Sequence, residues 1–238
     1  MSSKSTKTSF GLSPLFIVVL ALLTAIAPLA TDMYLAALPA VAENLNTTST
    51  NASLTLSAFM VGMALGQLVV GPLSDKTGRR KPLLFGVVVC FIATVACGFS
   101  PNIELLIFAR FMMGFTGSIG AVLARSIVTD TTQGLATAKL MGVMMMINGF
   151  APVLAPLFGG WVLSWGDWRD IFHVLGVVTA VMMLGVVFVV KETLPVEERY
   201  QGTALSVYSE LPKVFTVRRY MGFMLTMCFA FGALFSYI

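Results

Sequence analysis

The chain has 238 residues, of which 57% are hydrophobic and only 11% charged, with a net charge of +4 and a mean hydropathy of +0.89. Roughly a quarter of a soluble domain is charged, so this chain cannot cover a water-facing surface, and its solvent is the lipid bilayer. The basic excess sits in short loops between apolar runs and does not point to nucleic acid, while Cys90, Cys97 and Cys228 all lie inside apolar segments without metal-ligand or disulfide spacing.

A helix needs about 20 apolar residues to cross a hydrocarbon core roughly 30 Å thick, and lipid offers unpaired backbone groups no partner. Seven segments qualify: 14–41, 53–73, 82–99, 103–128, 137–163, 169–190 and 220–238. The first follows Lys4 and Lys7 but is not read as a signal peptide, because Asp32 interrupts it and further spans follow directly. Asp32 lies about nine residues before the outer end of that span, or roughly 14 Å deep.

The second span runs into the loop Gly71-Pro72-Leu73-Ser74-Asp75-Lys76-Thr77-Gly78-Arg79-Arg80-Lys81-Pro82. Gly71 and Gly78 let the chain reverse tightly, and Asp75 and Arg79 set opposite charges near a helix end. By itself the loop also reads as an ordinary basic inside loop.

The fourth span carries Arg110 about seven residues in from the outer side, roughly 10 Å deep, and leads to Asp130 at its far end. An unpaired charge at that depth costs at least ~2.5–3.5 kcal/mol. Asp32 and Arg110 therefore invite pairing or a shared polar cavity. Two readings stand side by side: a structural pair that fixes spans one and four, or a protonatable site. In the second, Asp32 takes a proton from outside and releases it inside, and Arg110 competes with the proton for the carboxylate.

In the fifth span Pro152 and Pro156 each remove a helix hydrogen bond, and Ala151, Ala155 and Gly159 recur every fourth position, as close helix packing requires. Trp161, Trp165 and Trp168 gather between spans five and six as interfacial aromatics. His173 reads as an interfacial residue rather than a proton relay, with Asp167 and Asp170 beside it solvated.

Lys/Arg placement orients the chain. Lys4, Lys7, Lys76, Arg79, Arg80, Lys81, Lys139, Lys191, Arg199, Lys213, Arg218 and Arg219 fall in one set of loops, with Arg125 at the same end of the fourth span, and Arg169 alone in the opposite set, which puts the N-terminus in the cytoplasm. The stretch 191–219, with Pro195, Gly202 and Pro212, reads as a connector. The expected organisation is a cytoplasmic N-terminus (1–13), a six-span bundle (14–190), a cytoplasmic linker (191–219) and the first span of a second bundle (220–238). Six spans, a linker and a seventh are how a six-plus-six transporter begins. The expectation is a chain that lacks a C-terminal half and does not transport alone.

The loop from Gly71 to Arg80 resembles the signature loop of the major facilitator superfamily, Gly-x-Leu-x-Asp-x-x-Gly-Arg-Arg/Lys, at every defining position. Leu106-x-x-x-Arg110-x-x-x-Gly114 is similar to the fourth-span motif of its proton-coupled members, with Met113 for the usual Gln. The run Asp32-Met33-Tyr34-Leu35-Ala36-Ala37-Leu38-Pro39 resembles that of the bicyclomycin/chloramphenicol-resistance (Bcr/CflA-type) exporters, with Ala36 where their first Pro stands. Some related exporters carry a second acid two turns earlier, where this chain has Thr24. Span five, through Pro156, Gly159 and Gly160, resembles the antiporter motif Gly-Pro-x-x-Gly-Gly, with Ala155 replacing its first Gly.

These resemblances span helices one to six and imply an all-α membrane protein whose core is a six-helix N-terminal bundle. They imply a charge cluster of Asp75, Arg79 and Asp130 that forms and breaks between inward-open and outward-open states. They also imply drug:proton antiport in a bacterial cytoplasmic membrane, with protons, the bilayer and a lipophilic or amphipathic drug-like substrate as partners, no cofactor or metal, and no enzymatic activity. Tyr34, Phe59, Gln67, Met144, Met146 and Asn148 are candidate pocket lining, since flexible thioethers suit varied ligands. Each of them also reads as plain packing or lipid-facing surface. The alternative on the same fold is a proton-coupled symporter for a sugar or metabolite. A seven-helix receptor is disfavoured by the inside N-terminus and by the lack of lysine in 220–238, and an intramembrane hydrolase by the lack of a Gly-x-Ser-Gly setting.

Overall fold

The computed structural model describes residues 13–202 and 216–236. Lys4, Lys7 and the rest of 1–12, the connector residues 203–215 including Pro212, and residues 237–238 lie outside the described residues. The chain divides into two units, Met1–Arg199 and Tyr200–Ile238.

The first unit comprises helices α1 (Pro14–Leu35), α2 (Leu38–Asn44), α3 (Ser49–Thr77), α4 (Arg80–Gly98), α5 (Ile103–Thr131), α6 (Leu135–Leu163) and α7 (Trp168–Val189), then a 3₁₀ turn at Val196–Glu198. Six of them, all but α2, are long and apolar enough to cross a membrane. The second unit contains α8 (Arg218–Ser236). Among the described residues every regular element is helical: this is an all-α membrane protein built on a six-helix bundle.

Local chemistry sets the helix ends. Ser13 caps α1, Thr48 caps α3 and Asn102 caps α5, each side chain accepting the backbone N–H three residues on. Asp167 and Asp170 reach solvent as expected and also form a capping box at the start of α7. The expected first span of 14–41 is broken between α1 and α2. Pro39 lies in the first turn of α2, and a proline disfavours continued helix at the residue before it. In contrast, α6 runs unbroken through Pro152 and Pro156.

Small residues set the register of the bundle. A Cβ at Gly62 or Gly66 of α3 would run into the backbone of Phe111 or Phe115 in α5, and one at Gly114 into the backbone of Phe59. The two helices therefore cross almost backbone to backbone, the packing that lipid-embedded helices favour. Gly120 of α5 sits on Leu23 of α1, and Gly159 of α6 sits on the Met33 backbone. With Arg110 bonded to Ala30, α1 and α5 are antiparallel. The start of α1 thus shares one end of the bundle with the α3–α4 turn and the end of α5, and this is the basic end.

Large apolar side chains such as Phe85, Ile92, Phe108 and Phe188 remain exposed on the outside of the bundle, where a bilayer rather than water accommodates them. Trp161 and Trp165 are also exposed and meet edge to face at 5.7 Å. Trp168, expected beside them at the interface, is fully buried, because as the first residue of α7 it turns inward onto Phe172.

Candidate functional site

Two groups of polar residues stand out, one inside the spans and one at the basic end. Arg110 of α5 is fully buried. Its Nη1 donates to the Ala30 carbonyl of α1 at 3.0 Å and lies 3.9 Å from the Met113 sulfur. Its guanidinium carbon sits 4.5 Å from the centre of the Phe59 ring, 4.6 Å from Tyr34 and 5.8 Å from Phe172. Those rings come from α3, α1 and α7. A desolvated cation–π contact contributes about 2 kcal/mol, so several rings together with the carbonyl bond offset the ~2.5–3.5 kcal/mol lower bound for a buried arginine.

The Tyr34 hydroxyl lies 2.9 Å from Thr55 Oγ1. Thr55 itself donates to the Ala52 carbonyl at 2.6 Å, which leaves Tyr34 as donor in the first bond. Tyr34 is thus fixed at both ends, its ring against Arg110 and Phe172 and its hydroxyl on α3.

Asp32 is not one of Arg110's partners. It is half-buried, and no ion pair within 4.0 Å involves it among the described residues. The pairing suggested by equal depth does not form, and helix geometry gives the reason. Successive residues turn by about 100°, so Ala30 and Tyr34 share a face while Asp32 points about 200° away from Ala30. The structure brings Arg110 onto one side of α1 and leaves the carboxylate on the other.

The same periodicity sorts the candidate pocket residues. Tyr34 and Phe59 are sealed beneath Arg110, whereas Gln67 and Met146 are exposed and Asn148 is half-buried, its amide donating to the Met144 carbonyl at 2.8 Å. Gln67 lies off the Gly62–Gly66–Val70 stripe that faces α5, and Met146 lies on the far side of α6 from the buried stripe Ala151–Ala155–Gly159. In the antiporter-like stretch, Gly159 packs on α1 while Pro152, Pro156 and Gly160 are exposed.

At the basic end the structure brings Asp75, Arg79 and Asp130 together. Arg79 Nε donates to Asp130 Oδ2 at 3.0 Å, and Nη1 donates to Asp75 Oδ1 at 2.5 Å and to Ser74 Oγ at 2.8 Å. Burial alone would pull the Arg79 guanidinium down, but its bonds to Asp130 and Asp75 outweigh that and hold it above the ordinary arginine value. Gly71 faces open space, whereas Gly78 is indispensable to the turn. Its φ is +91°, and a Cβ would meet the side chains of Glu192 and Arg199.

Glu192 is a member of this site that sequence reading missed. It follows α7 in the stretch expected to be linker, yet its carboxylate accepts the backbone N–H of Arg79 at 2.8 Å and of Arg80 at 3.3 Å. It also accepts the N–H groups of Thr193 and Leu194 and pairs with Arg199 at 3.7 Å. Partial burial raises its pKa, but these donors and Arg199 more than reverse that, leaving it below the ordinary glutamate range. Next to it, Thr193 Oγ1 donates to Asp130 Oδ2 at 3.2 Å. The available signal was an acid two residues after an apolar run, behind Lys191, at an end otherwise crowded with Lys and Arg.

Comparison with known proteins adds four matches. The family model described as Major Facilitator Superfamily matches residues 20–238. An uncharacterised MFS-type transporter, YdgK of Bacillus subtilis, is 38% identical over 221 residues, covering 92% of this chain and 55% of the relative. The bicyclomycin resistance protein homolog of Haemophilus influenzae is 28% identical, over 94% of this chain and 56% of the relative. Among solved structures, that of the peptide transporter POT superposes with a TM-score of 0.69 at 14% identity, covering 91% of this chain and 46% of that one, a likeness of fold. The chain spans about half the length of the curated relatives it matches.

Proposed function

The chain belongs to the Major Facilitator Superfamily, and on that premise we propose that it forms the N-terminal bundle of a drug exporter driven by inward proton flow. The reading follows the name of the bicyclomycin resistance homolog and, within the chain, one observation: a half-buried carboxylate, Asp32, on the face of a spanning helix turned away from the buried arginine.

In this reading the basic end faces the cytoplasm, in accord with the bias of Lys and Arg between loops. Asp32 binds a proton when its side of the bundle is open outward. The neutral group then changes access without carrying charge through a potential worth ~2.3 kcal/mol per charge per 100 mV. It releases the proton inward, and the freed carboxylate accepts an amphipathic compound in its place. Access alternates by rocking of two bundles about a midplane cavity. The Asp75–Arg79–Asp130 cluster locks one end in one state and opens in the other.

The test uses everted membrane vesicles from cells expressing a full-length transporter that contains this sequence as its N-terminal bundle. Lipophilic drugs should collapse a respiration-generated pH gradient, and sugars should not. Collapse by a sugar or small metabolite alone would replace export by symport on the same fold.

A further inference from the structure

We propose that Tyr34, Phe59 and Phe172 form an aromatic cage that makes Arg110 a fixed clamp on α1, so that Arg110 and Tyr34 are positioning residues which set the direction of Asp32. The inference rests on the reading of Asp32 as the protonated group, but its geometry is independent of transport.

Arg110 touches α1 at two points. Its Nη1 holds the Ala30 carbonyl, and its guanidinium lies over the Tyr34 ring. Those positions are one helical turn apart on one face, and Asp32 lies between them in sequence and opposite them in space. Gripping positions 30 and 34 therefore fixes the rotation of the helix about its axis, and with it the way the carboxylate points. Rotation of α1 would break the carbonyl bond and the ring contact together.

The cage also ties four helices to that setting. Phe59 belongs to α3, Tyr34 to α1, Phe172 to α7 and Arg110 to α5. The Tyr34 hydroxyl is secured to Thr55 of α3, whose own proton goes to the Ala52 carbonyl. The Tyr34 and Phe172 rings are 5.3 Å apart, so the far side of Tyr34 is closed as well. A carboxylate counter-ion would make the guanidinium responsive to protonation. The three rings are uncharged near neutral pH, so Arg110 keeps its grip whether or not Asp32 holds a proton. The clamp is the fixed part, and the carboxylate is the part that changes.

The test reads Asp32 directly. The purified chain in lipid nanodiscs is treated with dicyclohexylcarbodiimide, which modifies protonated carboxyls in apolar surroundings, and the rate at each carboxyl is followed by peptide mass spectrometry. Tyr34→Leu, Phe59→Leu and Arg110→Lys should each change the Asp32 rate by about thirtyfold, the factor matching one lost desolvated cation–π contact. The rates at Glu43, Asp75 and Asp130 should stay constant. Tyr34→Phe keeps the ring and should return Asp32 to within about twofold of the parent chain. Arg110→Lys separates clamp from charge, because lysine keeps the cation and loses the planar stack. A parental rate at Asp32 in Arg110→Lys and Phe59→Leu overturns the proposal, as does a change shared by all carboxyls in every ring variant. No drug movement enters the readout, so a chain that exports nothing still decides it.

Discussion

The carboxylate of Glu192 accepts a hydrogen bond from the backbone N–H of Arg79 at 2.8 Å, joining residues 113 positions apart. The stretch after the last helix of the bundle is therefore folded back over the α3–α4 turn, and the Asp75–Arg79–Asp130 cluster has a third acid beside it. Glu192→Gln should destabilise the detergent-solubilised chain by about 1–3 kcal/mol through the lost charge-assisted bonds, read as a lower thermal midpoint. Differential scanning fluorimetry of the two chains measures it.

The same residue gives a pH dependence of known sign. Its pKa in the folded chain lies below the ordinary 4.5. Its contribution to stability is therefore complete above pH 4.5 and lost as pH falls through the lower folded value. Melting the parent chain and Glu192→Gln in steps from neutral to acid should show the gap between them closing below pH 4.5. A gap that stays constant through that window would remove the carboxylate from the account.

Gly78→Ala should cost about 1–3 kcal/mol, since the turn needs a backbone that alanine rarely adopts and the added carbon meets Glu192 and Arg199. Gly71→Ala, in the same signature loop, has open space around it and should melt like the parent.

Gly159 and Gly160 are neighbours with opposite surroundings. A Cβ at Gly159 would overlap the Met33 backbone, whereas one at Gly160 meets nothing within 4 Å. Gly159→Val should separate α6 from α1 and destabilise the bundle by about 1–3 kcal/mol or more, and Gly160→Ala should leave the melt unchanged. The paired melts show whether the antiporter-like stretch acts through helix contact.

Much of this arrangement was legible in the residues. Long apolar runs located all six spanning helices of the first unit, since lipid leaves a chain few alternatives. The every-fourth-position stripe Ala151–Ala155–Gly159 marked the buried face of α6. Depth along a helix was also readable, and it placed Asp32 level with Arg110. Direction around the helix decides partnership, and there the inference of a pair failed, because two residues of separation from Ala30 turn Asp32 away from the arginine. The aromatic cage was harder to see, because Phe59 and Phe172 look like any other apolar residue until three helices converge on one cation. Glu192 was hidden for the opposite reason, as a charge in a stretch whose composition reads as linker.

The central claim is that the proton rides on Asp32. Everted vesicles carrying the full-length transporter that contains this sequence, or its Asp32→Asn variant, matched for membrane insertion, measure drug-induced collapse of the pH gradient. The account predicts collapse with the parent and none with the variant, and an asparagine variant that still collapses the gradient on drug addition would contradict it.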